Sequence, residues 1–186
     1  MVVSCPTDTI ITEHNYRPLV LALARARGFA LFFVQSIPGL KTRRLIRNVK
    51  DLLERPVTDV YLEGEMEIYP VISEAAGNSA GDAVLFVYGL EYHLDTRDQK
   101  QAQQTLRNLS EGVAAYKRLA MPLVFWVPPF ALNMIARGAP AFYICKNDVF
   151  CVVDNEYSII HLAQPTEWVM PFSMVPRPTP AHRQEK

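Results

Sequence analysis

Three short apolar runs, separated by stretches with helical spacing, constrain the fold of this chain more than any other feature. Residues 29–34 (FALFFV), 83–88 (AVLFVY) and 123–127 (LVFWV) carry no charged side chain. Unbroken runs of this length suit strands covered on both faces, as in parallel sheets. Residues 57–62 alternate well enough to add a fourth strand. Thr12 is placed to cap a helix over residues 13–27 that Gly28 closes, with Pro18 pushing its start inward. Tyr16, Leu19, Val20, Leu23 and Ala26 form its apolar face. A second helix fits residues 41–55, with Leu45, Ile46, Val49, Leu52 and Leu53 inward and Pro56 as its stop. A short helix fits 71–76 and a long one 98–119, where Gly112 costs about 1 kcal/mol relative to alanine. Pro129 opens a further helix that reaches Arg137. This alternation predicts one three-layer α/β domain with a mainly parallel central sheet of about five strands. Residues 149–153 and 157–162 flank Asp154-Asn155-Glu156 and read as a C-terminal hairpin at the sheet's edge. The domain is expected over residues 1–164, followed by a proline-rich tail over 165–186.

Composition narrows the function classes. With 186 residues, 49% of them hydrophobic, the chain can bury a full core. Nineteen basic and nineteen acidic residues cancel, so no overall field recruits nucleic acid or an anionic membrane. Three cysteines without C-x-x-C spacing read as reduced thiols and not as a disulfide framework or zinc site. The first residues lack the basic start and apolar stretch of a signal peptide, and no apolar run approaches the roughly 18 residues that span a bilayer. The expected location is the cytoplasm.

In a parallel sheet, ligands sit at the carboxyl ends of the strands, here residues 35–42, 88–92 and 127–130. The first of these resembles a phosphate-binding loop that has lost its glycines. Such a loop reads G-x-x-x-x-G-K-[ST] after a buried strand, its backbone N–H groups wrapping the phosphates. Lys41 and Thr42 stand at the start of the predicted helix, but Gln35 and Leu40 occupy the glycine positions. On this reading Lys41 contacts phosphate and Thr42 holds Mg²⁺. Arg43, Arg44 and Arg47 oppose the helix dipole until an anion binds. The alternative is a solvated basic face beside a Pro-Gly turn. An active site would also need an Asp after the strand at 83–88, where Tyr88 and Gly89 stand instead. Glu91 remains as a candidate to orient water or pair with Arg137; an ordinary surface glutamate is the bland reading. Arg137 could equally serve packing through its aliphatic stem. Tyr88, Tyr92 and Trp126 could stack a base, although aromatics at strand ends are usually core.

A family resemblance adds to this. Residues 122–143 (PLVFWVPPFALNMIARGAPAFY) resemble the strand-then-helix block of a divergent P-loop-type domain found at the N-terminus of bacterial tetratricopeptide-repeat proteins and allied to the STAND signalling ATPases. Trp126, Pro128, Ala131, Leu132, Ile135, Ala136, Arg137, Ala139, Pro140 and Phe142 carry the likeness. The strand AVLFVYGLE resembles that family's Walker-B-like strand, and NYRPLVLALARARG its opening helix. The resemblance implies a P-loop NTPase-like fold and a regulatory or assembly role in a signalling or defence system. It implies no required cofactor, with ATP or GTP and magnesium as a weak ligand bound through Lys41, Thr42, Arg44, Glu91 and Arg137. No helical repeats follow the hairpin, so the expected partner is another protein of the same system, with homo-oligomerisation compatible. Trp168, Phe172 and Met174 follow without periodicity and are the expected partner-docking residues.

Overall fold

The computed structural model describes residues 9–64, 67–94 and 97–153. Six parallel strands form its centre: β1 (Thr9–Ile11), β2 (Ala30–Gln35), β3 (Val57–Tyr61), β4 (Val84–Tyr88), β5 (Pro122–Val127) and β6 (Lys146–Val152). Their order across the sheet is β1-β6-β2-β5-β4-β3. Every neighbouring pair is parallel. The three unbroken apolar runs therefore become β2, β5 and β4, side by side in the interior of the sheet. There both faces need apolar cover.

Helices supply that cover in two layers. On one face α1 (Arg17–Arg25) and α2 (Leu40–Leu52) set Leu19, Leu23, Leu45 and Val49 against Phe32, Val34, Phe86 and Trp126. On the other face lie α3 (Ile68–Gly77), α4 (Gln99–Glu111), α5 (Val113–Arg118), α6 (Pro129–Gly138) and α7 (Pro140–Ile144). From these, Ile72, Leu109, Tyr116, Ile135 and Phe142 pack against Phe33, Leu85 and Phe125. Phe33 meets Phe125, Phe142 and Tyr143 with ring centroids about 6 Å apart. Each fully buried apolar side chain of this kind contributes about 1.5–3 kcal/mol. The expected three-layer α/β architecture is present.

Several local expectations change. Thr12 does not cap α1. Its hydroxyl accepts N–H bonds from His14 and Asn15, closing a turn upstream. The helix starts at Arg17, where Pro18 sits in the first turn and its missing donor costs nothing. Leu52, expected inward, is half exposed at the end of α2. The long helix expected over 98–119 is two helices that break at Gly112, with Asp98 capping α4 by accepting the Gln101 N–H. The sheet has six strands instead of about five, because β1 has only three residues and left no signal. Finally, β6 is not at the edge. It lies between β1 and β2 and pairs with both in parallel. The second arm of the expected hairpin, and the proposed boundary near residue 164, fall outside the described residues. No helix among the described residues is long and apolar enough to cross a membrane.

Candidate functional site

The carboxyl ends of β2, β5, β4 and β3 open onto a cleft of about 650 Å³. Its walls come from the loop after β2, the first turns of α2, the ends of β3 and β4, and the Val127-Pro128 corner. The place is the one the strand pattern indicated. Its chemistry differs from that of a phosphate loop.

Gln35 is still part of the sheet, opposite Val127 and Cys151, and the Ser36 N–H bonds the Val127 carbonyl at 3.0 Å. Leu40, at the second glycine position, is already helical. Only residues 36–39 bridge strand and helix. A nest of converging N–H groups alternates right- and left-handed backbone, yet no residue of this loop lies in the left-handed region. Gly39 is fully extended at φ 173°, a conformation open to any residue. The Thr42 hydroxyl donates to the Ile37 carbonyl at 2.7 Å, which closes the loop on itself. These residues do not fit a magnesium–triphosphate group in the way a phosphate loop does.

The structure separates the other expected site residues. Thr42 and Glu91 line the cleft, whereas Lys41 is exposed on the turn beside it and Arg43 forms the wall. Arg44 is exposed and lies 3.7 Å from Glu13. Arg137 does not meet Glu91. It stands eight residues beyond Pro129 along α6, about 12 Å from the helix start at 1.5 Å per residue, and is exposed. Trp168, Phe172 and Met174 lie outside the described residues.

After β4 the chain turns at Gly89, whose φ is +89°. A Cβ there would sit 2.6 Å from the Leu62 carbonyl oxygen. Of the two positions at the end of β4 where an ATPase would carry its magnesium-binding Asp, one holds Tyr88, and Gly89 accepts a side chain only if backbone moves. Beyond it a 3₁₀ turn (Leu90–Leu94) brings Glu91 into the cleft. Burial raises the Glu91 pKa, opposed by backbone N–H bonds from its own residue and Gly89, and its Oε2 is buried without a partner among the described residues.

What the cleft holds instead is a row of rings. Tyr61, Tyr88 and Trp126 occupy matching positions on β3, β4 and β5. Tyr61 stacks on Tyr88 at 5.1 Å and Tyr88 on Trp126 at 6.4 Å, both at 21°. Exposed Tyr92 adds a fourth aromatic wall. Beneath them the Tyr88 hydroxyl donates to Asp59 Oδ1 at 3.1 Å, and Lys50 Nζ donates to the same oxygen at 2.7 Å. Burial, then the Asp59 charge and its hydrogen bond, push the Tyr88 pKa far above the usual phenol value. Tyr61 was not singled out in the sequence. Its one signal was the alternation of β3, which does not say which strand it pairs with. Comparison with known proteins returns no matching family and no significantly similar curated relative.

Proposed function

We propose that this chain is a non-hydrolytic, P-loop NTPase-like domain that acts as a regulatory or protein-interaction module, in an assembly of the bacterial signalling or defence type. The observation that carries this reading is the loop after β2. It lies where a phosphate loop belongs, between a buried strand and a helix bearing Lys-Thr, yet it has no left-handed residue to form a nest. Tyr88 and Gly89 add to the case, because neither carries a carboxylate and a side chain at Gly89 would press on the Leu62 carbonyl. Loss of either feature removes several kcal/mol of transition-state stabilisation from phosphoryl transfer. A fold that keeps its core and its cleft without that chemistry acts through binding. The exposed rings of Tyr61 and Tyr92 at the cleft rim are the surface this reading assigns to recognition, since exposed aromatics are enriched where proteins dock.

A thermal-shift titration with ATP–Mg²⁺ and GTP–Mg²⁺ tests the reading. No shift at millimolar nucleotide supports the interaction module. A saturable shift that disappears in Lys41→Ala would replace it with a nucleotide-responsive switch acting through Lys41 and Thr42.

A further inference from the structure

Exposed apolar side chains gather at one end of this molecule. Eight large ones are exposed among the described residues, and five of them follow the carboxyl ends of strands. Ile37 and Leu40 come after β2, Tyr61 ends β3, Tyr92 lies in the 3₁₀ turn after β4, and Phe130 stands in the first turn of α6 after β5. Each is at least 49% exposed, and Tyr61 and Tyr92 line the cleft itself. Apolar surface concentrated at the mouth of a cleft marks a place where another segment docks.

The chain delivers a segment of its own to that end. β6 runs parallel to β2 with Cys151 opposite Gln35, so it leaves the sheet beside the loop that follows β2. The Val153 N–H bonds the Ile11 carbonyl at 3.0 Å and fixes that exit. β1, by contrast, begins with Thr9 at the opposite end of the sheet. Residues 154–186 continue from Val153 and lie outside the described ones. Seventeen residues (154 to 170) separate Val153 from Pro171, an extended reach of about 56 Å. From β6 to β4 is three steps across the sheet, about 14 Å, so the length is ample.

Chemistry narrows the choice of residues. Residues 171–180 (PFSMVPRPTP) hold four prolines in ten positions. Proline-rich segments lose little entropy on docking and pack their rings into grooves lined by aromatic side chains. Tyr61, Tyr88, Tyr92 and Trp126 make the cleft such a groove. Charge matches as well. Glu63 and Glu91 line the side formed beyond β3 and β4, while Arg43 stands on the α2 wall and Lys50 is taken up by Asp59. Arg177 is the one charged residue between 171 and 180, and a carboxylate pair suits a guanidinium.

We propose that residues 171–180 of this chain occupy the cleft, with Pro176 and Pro178 against the rings of Tyr61 and Tyr92 and Arg177 beside Glu63 and Glu91. This deepens the proposed role of the cleft and rests on that reading for its use in recognition: a partner then has to displace the segment. Two measurements on the whole chain test it. Nuclear Overhauser contacts should join Pro176 and Pro178 to the Tyr61 and Tyr92 rings and persist on dilution. A labelled peptide of residues 165–186, followed by fluorescence anisotropy, should bind the Pro176→Ala/Arg177→Glu/Pro178→Ala chain about tenfold more tightly than the unaltered chain, because the tethered competitor, at an effective concentration of order 1 mM, is removed. Adding Tyr92→Ala, at an exposed position that leaves the core intact, should weaken that binding again. Missing ring contacts, contacts that fade on dilution and so join two copies, or a peptide that binds both chains equally or neither would each overturn the proposal. None of these outcomes bears on nucleotide binding, which the thermal-shift titration decides separately.

Discussion

Replacing Gly89 with alanine probes the turn that brings Glu91 into the cleft and buries His93. Two costs add. At φ +89° the backbone lies in the left-handed region, where an L side chain costs about 1–2 kcal/mol. The new Cβ would also meet the Leu62 carbonyl oxygen at 2.6 Å, a contact that only backbone movement relieves. Leu62 is not free to move cheaply: its N–H bonds the Tyr88 carbonyl at 2.9 Å, and its carbonyl takes the bond from His93. Together the loss should be about 2–4 kcal/mol, a large part of the roughly 5–15 kcal/mol that holds such a domain. For a chain of this size that is a fall in Tm of roughly 4–16 °C. Gly39→Ala is the matched control. It sits at φ 173° with nothing within 4 Å of its Cβ, so the lower entropy of the unfolded chain offsets the weaker cap to within about 1 kcal/mol. Differential scanning calorimetry of both variants reads the contrast. Equal shifts, or a larger one for Gly39→Ala, would refute the close approach of Gly89 to Leu62.

Alkaline titration should reveal the buried phenols. The folded pKa values of Tyr88 and Tyr116 both lie above the ordinary 10.0, first because of burial, so the folded state keeps protons that the unfolded state releases. Their contribution is complete below pH 10 and is lost as pH rises beyond it, at up to about 1.4 kcal/mol per pH unit for each phenol. Denaturant midpoints from pH 9 to 11 check this, and Tyr88→Phe should make the decline shallower; an unchanged slope would count against it. Phe33→Ala should cost about 3–5 kcal/mol, because its ring is fully buried against Phe125, Phe142 and Tyr143 on an interior strand. Urea unfolding measures that loss, and a cost below about 1 kcal/mol would mean that Phe33 is not packed between β2 and the helices of that face.

Much of the fold was legible because burial on both faces leaves a plain mark on a strand. The runs 29–34, 83–88 and 123–127 needed no knowledge of their neighbours to be read as buried strands, and they fold as residues 30–35, 84–88 and 122–127. Where structure depends on distant pairing, the sequence was mute or misleading. Thr9–Ile11 is three residues long and becomes a strand because β6 lies beside it. Asp154-Asn155-Glu156 carries a local turn signal, and that signal drew residues 149–153 into a hairpin at the edge. In the fold they run parallel to β2, inside the sheet. At the site, strand ends located the cleft correctly. The expected meeting of Glu91 with Arg137 failed on geometry, since α6 runs away from the cleft as it rises from β5. The row Tyr61–Tyr88–Trp126 exists only through the register of three strands far apart in the chain.

Steady-state phosphate release from ATP and GTP with magnesium decides whether the loop after β2 supports phosphoryl transfer. The expected result is release no faster than buffer, identical in the unaltered chain and in Lys41→Ala. Turnover at an ordinary enzyme rate, about 1 per second or more, that Lys41→Ala abolishes would contradict it, because a loop without a phosphate nest would then be performing phosphoryl transfer.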